Sequence, residues 1–270
     1  MISRFCQFQL GSWLAASLSA IAAESSPAKK PVFLYSLYYQ APGENRYPPN
    51  GSYQELLENL RATFEVRISD SRPTDQLLRG VSVVLLANPN EHAVGTNPPP
   101  PHLQRAEAQT LARFVERGGG LIALGNQEGH NLEVTDFNQL FGRFGLQFTN
   151  HYHDAKRITI DANAAPIGGL HWAYYTGNEI QINPQHRAHP RALVTNQPEQ
   201  PTETHQRNDP GILLAVATPG RGHVVLATDA GWLTHNAFAN LGIGGVIIRD
   251  HDNREIFRRL SLWAAGRKID

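Results

Sequence analysis

The stretch AEAQTLARFVERGGGLIALGNQEGH, Ala106 to His130, decides the fold. Leu111, Phe114 and Val115 recur at helical spacing, with Arg105, Glu107, Arg113 and Glu116 spread over the other faces. Gly118 to Gly120 stop the helix and allow it to pack closely on the next element. Leu121 to Leu124 is short and wholly apolar, as a strand buried on both faces must be. The turn after it sits at a strand's C-terminal end, where open α/β sheets bind ligands.

Working outward, the same alternation repeats. Pro31 to Tyr38 reads as a buried strand, and Ser52 with Glu55 reads as a capping box opening a helix with Leu56, Leu57 and Leu60 inward. Phe64 to Asp70 alternates like an outer strand, Asp75 to Gly80 is a helical turn, and Val81 to Asn88 is buried again. Asn88 to His102 is a Pro-rich excursion whose Pro98 to Pro101 favour polyproline II. Asp136 to Gly145 is an amphipathic helix carrying Phe137, Leu140, Phe141 and Phe144. Strand and helix in alternation predict a mostly parallel sheet covered on both faces. Beyond Leu146 the pattern loosens into short strands and irregular chain up to Asp209. Ile212 to Asp229 is an antiparallel hairpin about Pro219 to Gly222. Asn253 to Ala265 is the closing helix, with Asp252 as its expected cap and Gly266 as its stop.

Lysine plus arginine equals aspartate plus glutamate at 24 each in 270 residues, so no global field favours nucleic acid. The run Gly11 to Ala23, preceded by Arg4 and carrying Ala20 and Ala22 at small-residue positions, reads as a signal peptide over 1–22 with a linker over 23–30. That implies export to a periplasmic or extracellular location, and a run this short leaves no stable membrane span after cleavage. Cys6 is the single cysteine and would leave with the leader. The remainder, 31–268, reads as one α/β domain.

Taken together, FVERGGGLIALG, GRGHVVLATDAGWLTHNAF and DHDNREIFRRLSLWAAG resemble segments of the class I glutamine amidotransferase-like superfamily, a flavodoxin-like α/β fold. Within it the likeness is to exported DUF4350-type and GldG-type domains, and it runs over residues 31–266, weakest across 160–210. The resemblance implies a G-x-C-x-G-H nucleophile elbow. Here Gly125, Asn126, Gln127, Glu128, Gly129 and His130 keep the glycine frame, but Gln127 stands where the cysteine belongs. An amide cannot form an acyl-enzyme, so glutaminase chemistry is not expected.

The remaining polar residues support two readings of function. Asn88, Glu91, Asn126, Gln127, Glu128, His130, Asp229, His235 and Asn236 fall at predicted strand ends, a rim suited to a polar ligand such as a carbohydrate, or to an envelope protein partner. In this reading the domain is non-catalytic and needs no cofactor. The alternative is a metal-dependent hydrolase acting on a glycan or ester. His151 and His153 would share one face of a strand and, with Asp154 and a further ligand among His171, His186 and His189, hold zinc or another divalent ion. A third, narrower idea is partner binding through the proline loop.

Overall fold

The computed structural model describes residues 29–127, 129–149, 151, 156–196 and 210–269. The expected signal peptide, most of the linker, and Glu128, His153 and Asp154 lie outside them.

The chain order is β1 (Val32–Ser36), α1 (Gln54–Arg61), β2 (Glu65–Ser69), β3 (Val81–Ala87), α2 (Arg105–Glu116), β4 (Gly120–Leu124), α3 (Thr135–Phe141) and β5 (Leu146–Phe148). It continues through β6 (Lys156–Thr159), β7 (His171–Tyr174), β8 (Ile180–Ile182), β9 (Arg191–Asn196), β10 (Gly211–Ala217), β11 (His223–Ala227), α4 (His235–Phe238) and α5 (Asn253–Ala264). One nine-stranded sheet runs β2-β1-β3-β4-β11-β10-β8-β5, with β9 also pairing β10, while β6 and β7 form a separate ribbon. The pairs from β2 to β11 are parallel, and those of β10 with β11, β8 and β9 are antiparallel. The expected α/β architecture, mostly parallel with a late hairpin, is therefore present.

The alternation of side chains builds two cores. Phe33, Tyr35, Val83, Leu85, Ile122 and Leu124 point to one face and pack with α1, α5, Trp172 and Trp232. Their neighbours Leu34, Val84, Leu86, Leu121 and Ala123 point to the other, under α2 and α3. Two of the three consecutive glycines set the spacing between helices and sheet. A Cβ on Gly120 would lie 2.4 Å from the carbonyl oxygen of Ala264 in α5, and one on Gly119 would enter the Phe114 ring at 2.4 Å.

Two local expectations need correction. Ser52 does not cap α1; its hydroxyl donates to the Arg46 carbonyl, and Tyr53 takes the cap position. Tyr53 is drawn inward because its ring packs on Tyr35 and Tyr47, and its hydroxyl donates to the Ala230 carbonyl at 2.7 Å. Asp252 stands at the cap position of α5 but turns away from that helix: its Oδ2 accepts the His171 N–H at 2.8 Å. Asn253 holds β7 the same way, accepting from Ala173 N–H at 2.9 Å and donating to the carbonyls of Ala173 and Trp232. The start of α5 thus ties the β6–β7 ribbon to the main sheet. α3 also starts without a cap from the residue before it, because Glu133 reaches forward and accepts the N–H groups of Asp136 and Phe137 at 2.8 and 3.0 Å.

Candidate functional site

The C-terminal rim of the parallel strands is level by register. Ala87, Leu124 and Ala227 pair across β3, β4 and β11, which aligns Asn88, Gly125 and Thr228 just beyond them. Two further backbone bonds prolong the ladder, from Asn88 N–H to Leu124 O at 2.8 Å and from Gly125 N–H to Ala227 O at 2.7 Å. Three loops meet above this line.

The loop after β1 closes the crevice between β1 and β3, the point where strand order reverses. Gln40 donates to the Ala87 carbonyl at 3.0 Å, Ala41 N–H donates to Asn90 Oδ1 at 2.6 Å, and Asn90 N–H donates to Tyr39 O at 2.9 Å. Further out, Glu44 pairs with Arg46, whose Nη1 donates to the His130 carbonyl at 2.6 Å. Burial alone would raise the Glu44 carboxyl, but its hydrogen bonds from Arg46 outweigh that and hold it below the usual carboxylate range. Asn90 Nδ2 donates to Glu44 and to Asn131 O, so the loops after β1, β3 and β4 share one polar clasp.

Beyond the clasp lies an open cavity of about 550 Å³, lined by Glu44, Arg46, Glu91, His92, Gly129 and Asn131 together with neighbouring loop residues. That volume falls in the range of small-molecule sites. Of the residues expected at the rim, Glu91 lines this cavity, beside Gly129 and Asn131 of the loop after β4. Gln127 reaches His130 in the same loop: Gln127 Nε2 lies 3.0 Å from His130 Nε2, and Gln127 Oε1 is buried without a hydrogen-bond partner.

The other candidates go elsewhere. Asn88 is fully buried in a left-handed conformation, its Nδ2 reaching the His130 carbonyl at 3.4 Å and its Oδ1 unpartnered. Asn126 is buried too; it donates to Tyr47 Oη at 2.7 Å and accepts from Gln127 N–H. These two asparagines brace the rim from below. Asp229 is also internal, and its carboxylate accepts the N–H groups of Tyr175 at 2.9 Å and Gly231 at 2.5 Å. Burial drives its pKa up to about 7 against the pull of those backbone bonds. His235 and Asn236 line a different cavity of about 840 Å³ with Gly51, Gln54, Glu55 and Glu58. There His235 Nδ1 lies 2.8 Å from Glu55, which also holds Arg254.

Among the described residues no helix begins between β4 and the start of α3 at Thr135. A nucleophile elbow is a strand–turn–helix device, so the frame around Gln127 lacks its structural context as well as its cysteine. The Thr228 hydroxyl at the same rim is buried and donates to the Leu213 carbonyl at 3.1 Å.

Of His151, His153 and Asp154, only His151 lies among the described residues. It is exposed, with Nδ1 3.7 Å from Glu179 Oε2. His171 lies 3.2 Å from the Thr159 hydroxyl, and His186 Nδ1 accepts the Ala188 N–H. Among the described residues the group that could hold a metal ion is Glu91, His102 and Glu133, whose donor atoms lie within 4.8 Å of one another. Sequence reasoning missed it because its members are dispersed: one comes after β3, one ends the proline tract, one precedes α3. The only signal available was a lone histidine directly after four prolines. Among the described residues no helix is long and apolar enough to cross a membrane.

No family model matches the sequence, and no curated protein does. Solved structures do. The fold is similar to that of the mmIFT52 N-terminal domain, with a TM-score of 0.66 at 14% identity, covering 88% of this chain and 99% of that one. It is also similar to part of a β-galactosidase from Bacillus circulans sp. alkalophilus, at TM-score 0.50 and 12% identity, covering 88% of this chain and 31% of that one. At such identities the likeness is one of fold alone.

Proposed function

We propose that this chain is a non-catalytic, exported α/β domain that binds a polar ligand at the C-terminal rim of its sheet, a carbohydrate being the best match. The observation that carries the reading is the convergence of three strand-end loops on the cavity bordered by Glu44, Arg46, Glu91, His92 and Asn131. Carboxylates, a guanidinium, an imidazole and an amide in one open cavity supply the directional donors and acceptors that hydroxyl-rich ligands need. The lack of a nucleophile around Gln127 argues for binding over acyl transfer. Export rests on the leader pattern in residues 1–22. Kinship with the flavodoxin-like amidotransferase-like domains of DUF4350 and GldG type rests on the quoted segments, and the run β2-β1-β3-β4 continued by a parallel β11 is compatible with it.

The test is calorimetric titration of the protein with a panel of soluble oligosaccharides, neutral and acidic. At least one is expected to bind, and His92→Ala to weaken it about tenfold, roughly the worth of one lost hydrogen bond to a charged or polar group. His92 is exposed, so this variant keeps the fold. Equal affinity in the variant, or no binding across the panel, would count against the reading.

A further inference from the structure

We propose that Glu91, His102 and Glu133 form a binding site for one divalent transition-metal ion, zinc being the best match to their donor set. The inference stands apart from carbohydrate binding, although Glu91 borders the rim cavity as well.

Three observations on geometry and chemistry carry it. First, one donor atom from each residue already lies within 4.8 Å of the others, so small side-chain adjustments bring them to a common centre at ordinary metal–ligand distances of about 2 Å. Second, the imidazole is prepared for coordination. His102 Nε2–H donates to the Glu91 carbonyl at 3.0 Å, which leaves Nδ1 as the nitrogen able to offer a lone pair. A ring N–H held by a backbone carbonyl is the usual support of a metal-bound histidine. Nδ1 lies 3.1 Å from Asp136 Oδ2, which places a further carboxylate beside that nitrogen. Third, negative charge is left without a fixed cation. Among the described residues neither Glu91 nor Glu133 has a lysine or arginine partner, and the Glu91 carboxylate makes no described hydrogen bond, while Glu133 is 1% exposed.

One imidazole nitrogen with carboxylate oxygens is a borderline donor set that suits zinc. Calcium would require six or more oxygens. Glu133 keeps its role at α3, since each oxygen that accepts one N–H retains a further lone pair. The ion would join the segment after β3, the end of the proline tract and the start of α3. It would so pin the 88–104 excursion at both ends.

The experiment is equilibrium dialysis of the untagged full-length protein against zinc chloride, with bound metal counted per chain. One zinc per chain is expected in the wild type and in His151→Ala, with at least a tenfold loss of affinity in Glu91→Gln and in His102→Ala. Circular dichroism identifies any variant that fails to fold; Glu91→Gln removes only a charge at a partly exposed position and serves as the reading should His102→Ala unfold. Zinc should also slow proteolytic cleavage within 88–104 in the wild type and not in Glu91→Gln. Absence of stoichiometric zinc, zinc retained unchanged in Glu91→Gln, or zinc lost in His151→Ala would each overturn the assignment. None of these outcomes depends on whether an oligosaccharide binds.

Discussion

Asp229 is a carboxyl group with a raised folded pKa of about 7 against 3.8 when free, caused by burial. Its stabilising contribution is therefore complete below the unfolded value and fades as pH rises through 7. Wild-type stability relative to Asp229→Asn is expected to fall by about 2–3 kcal/mol between pH 5 and 8, measured by urea unfolding across that range. A constant difference would show that the backbone N–H groups of Tyr175 and Gly231 already satisfy the charged form. Glu107 offers a second residue-scale test. It is 2% exposed, pairs with Arg72 Nε at 2.6 Å, and accepts from the Tyr39 hydroxyl at 3.0 Å and the Gln104 N–H at 2.9 Å. Glu107→Ala leaves the buried Tyr39 hydroxyl without its acceptor and releases the Gln104 N–H and Arg72 to solvent, and a loss of about 1–3 kcal/mol in unfolding free energy is expected. Helical periodicity alone places Glu107 in solvent. Its actual environment comes from Tyr39 in the loop after β1 and from Arg72, which helical periodicity does not encode.

At the scale of elements, the glycines after α2 separate two effects. Gly120→Ala places a methyl carbon 2.4 Å from a backbone oxygen of α5, which cannot rotate away, so helix and strand must part. A cost of about 1–3 kcal/mol or more is expected, read from denaturant midpoints. Gly129→Ala meets no atom within 4 Å and bears only the strain of φ +77°, for about 1 kcal/mol. Unbroken apolar runs in β1, β3 and β4 made these strands legible, since a chain segment buried on both faces has few alternatives. The short β7, β8 and β9 were not individually legible. Ile180–Ile182 owes its pairing to β5 and β10 from distant parts of the chain, and His171–Tyr174 and Arg191–Asn196 are short strands that pair with the neighbouring β6 and β10. Capping was read with mixed success for a similar reason. Ser52 and Asp252 have the right chemistry at the right offset, yet the Arg46 carbonyl and the His171 N–H compete for their side chains.

For the molecule as a whole, register places the rim and the loops decide what it can do. Strand ends pointed to a rim that included Glu91 and His130, because a parallel sheet aligns its C-termini whatever the loops contain. They could not show that Asn88, Asn126 and Asp229 fold under the rim, or that His235 and Asn236 open onto a separate cavity beside α1. With no helix starting at Gln127, restoring a cysteine there should not restore an enzyme. Neither the wild type nor Gln127→Cys is expected to release ammonia from glutamine above the buffer blank in a coupled assay. The most direct test of rim binding is a backbone-amide NMR titration of the isotope-labelled protein with an oligosaccharide that binds by calorimetry. Shifts confined to 44–46, 91–94 and 129–132 are the predicted result; shifts centred on Glu55, Glu58, His235 and Asn236, with the rim silent, would contradict it.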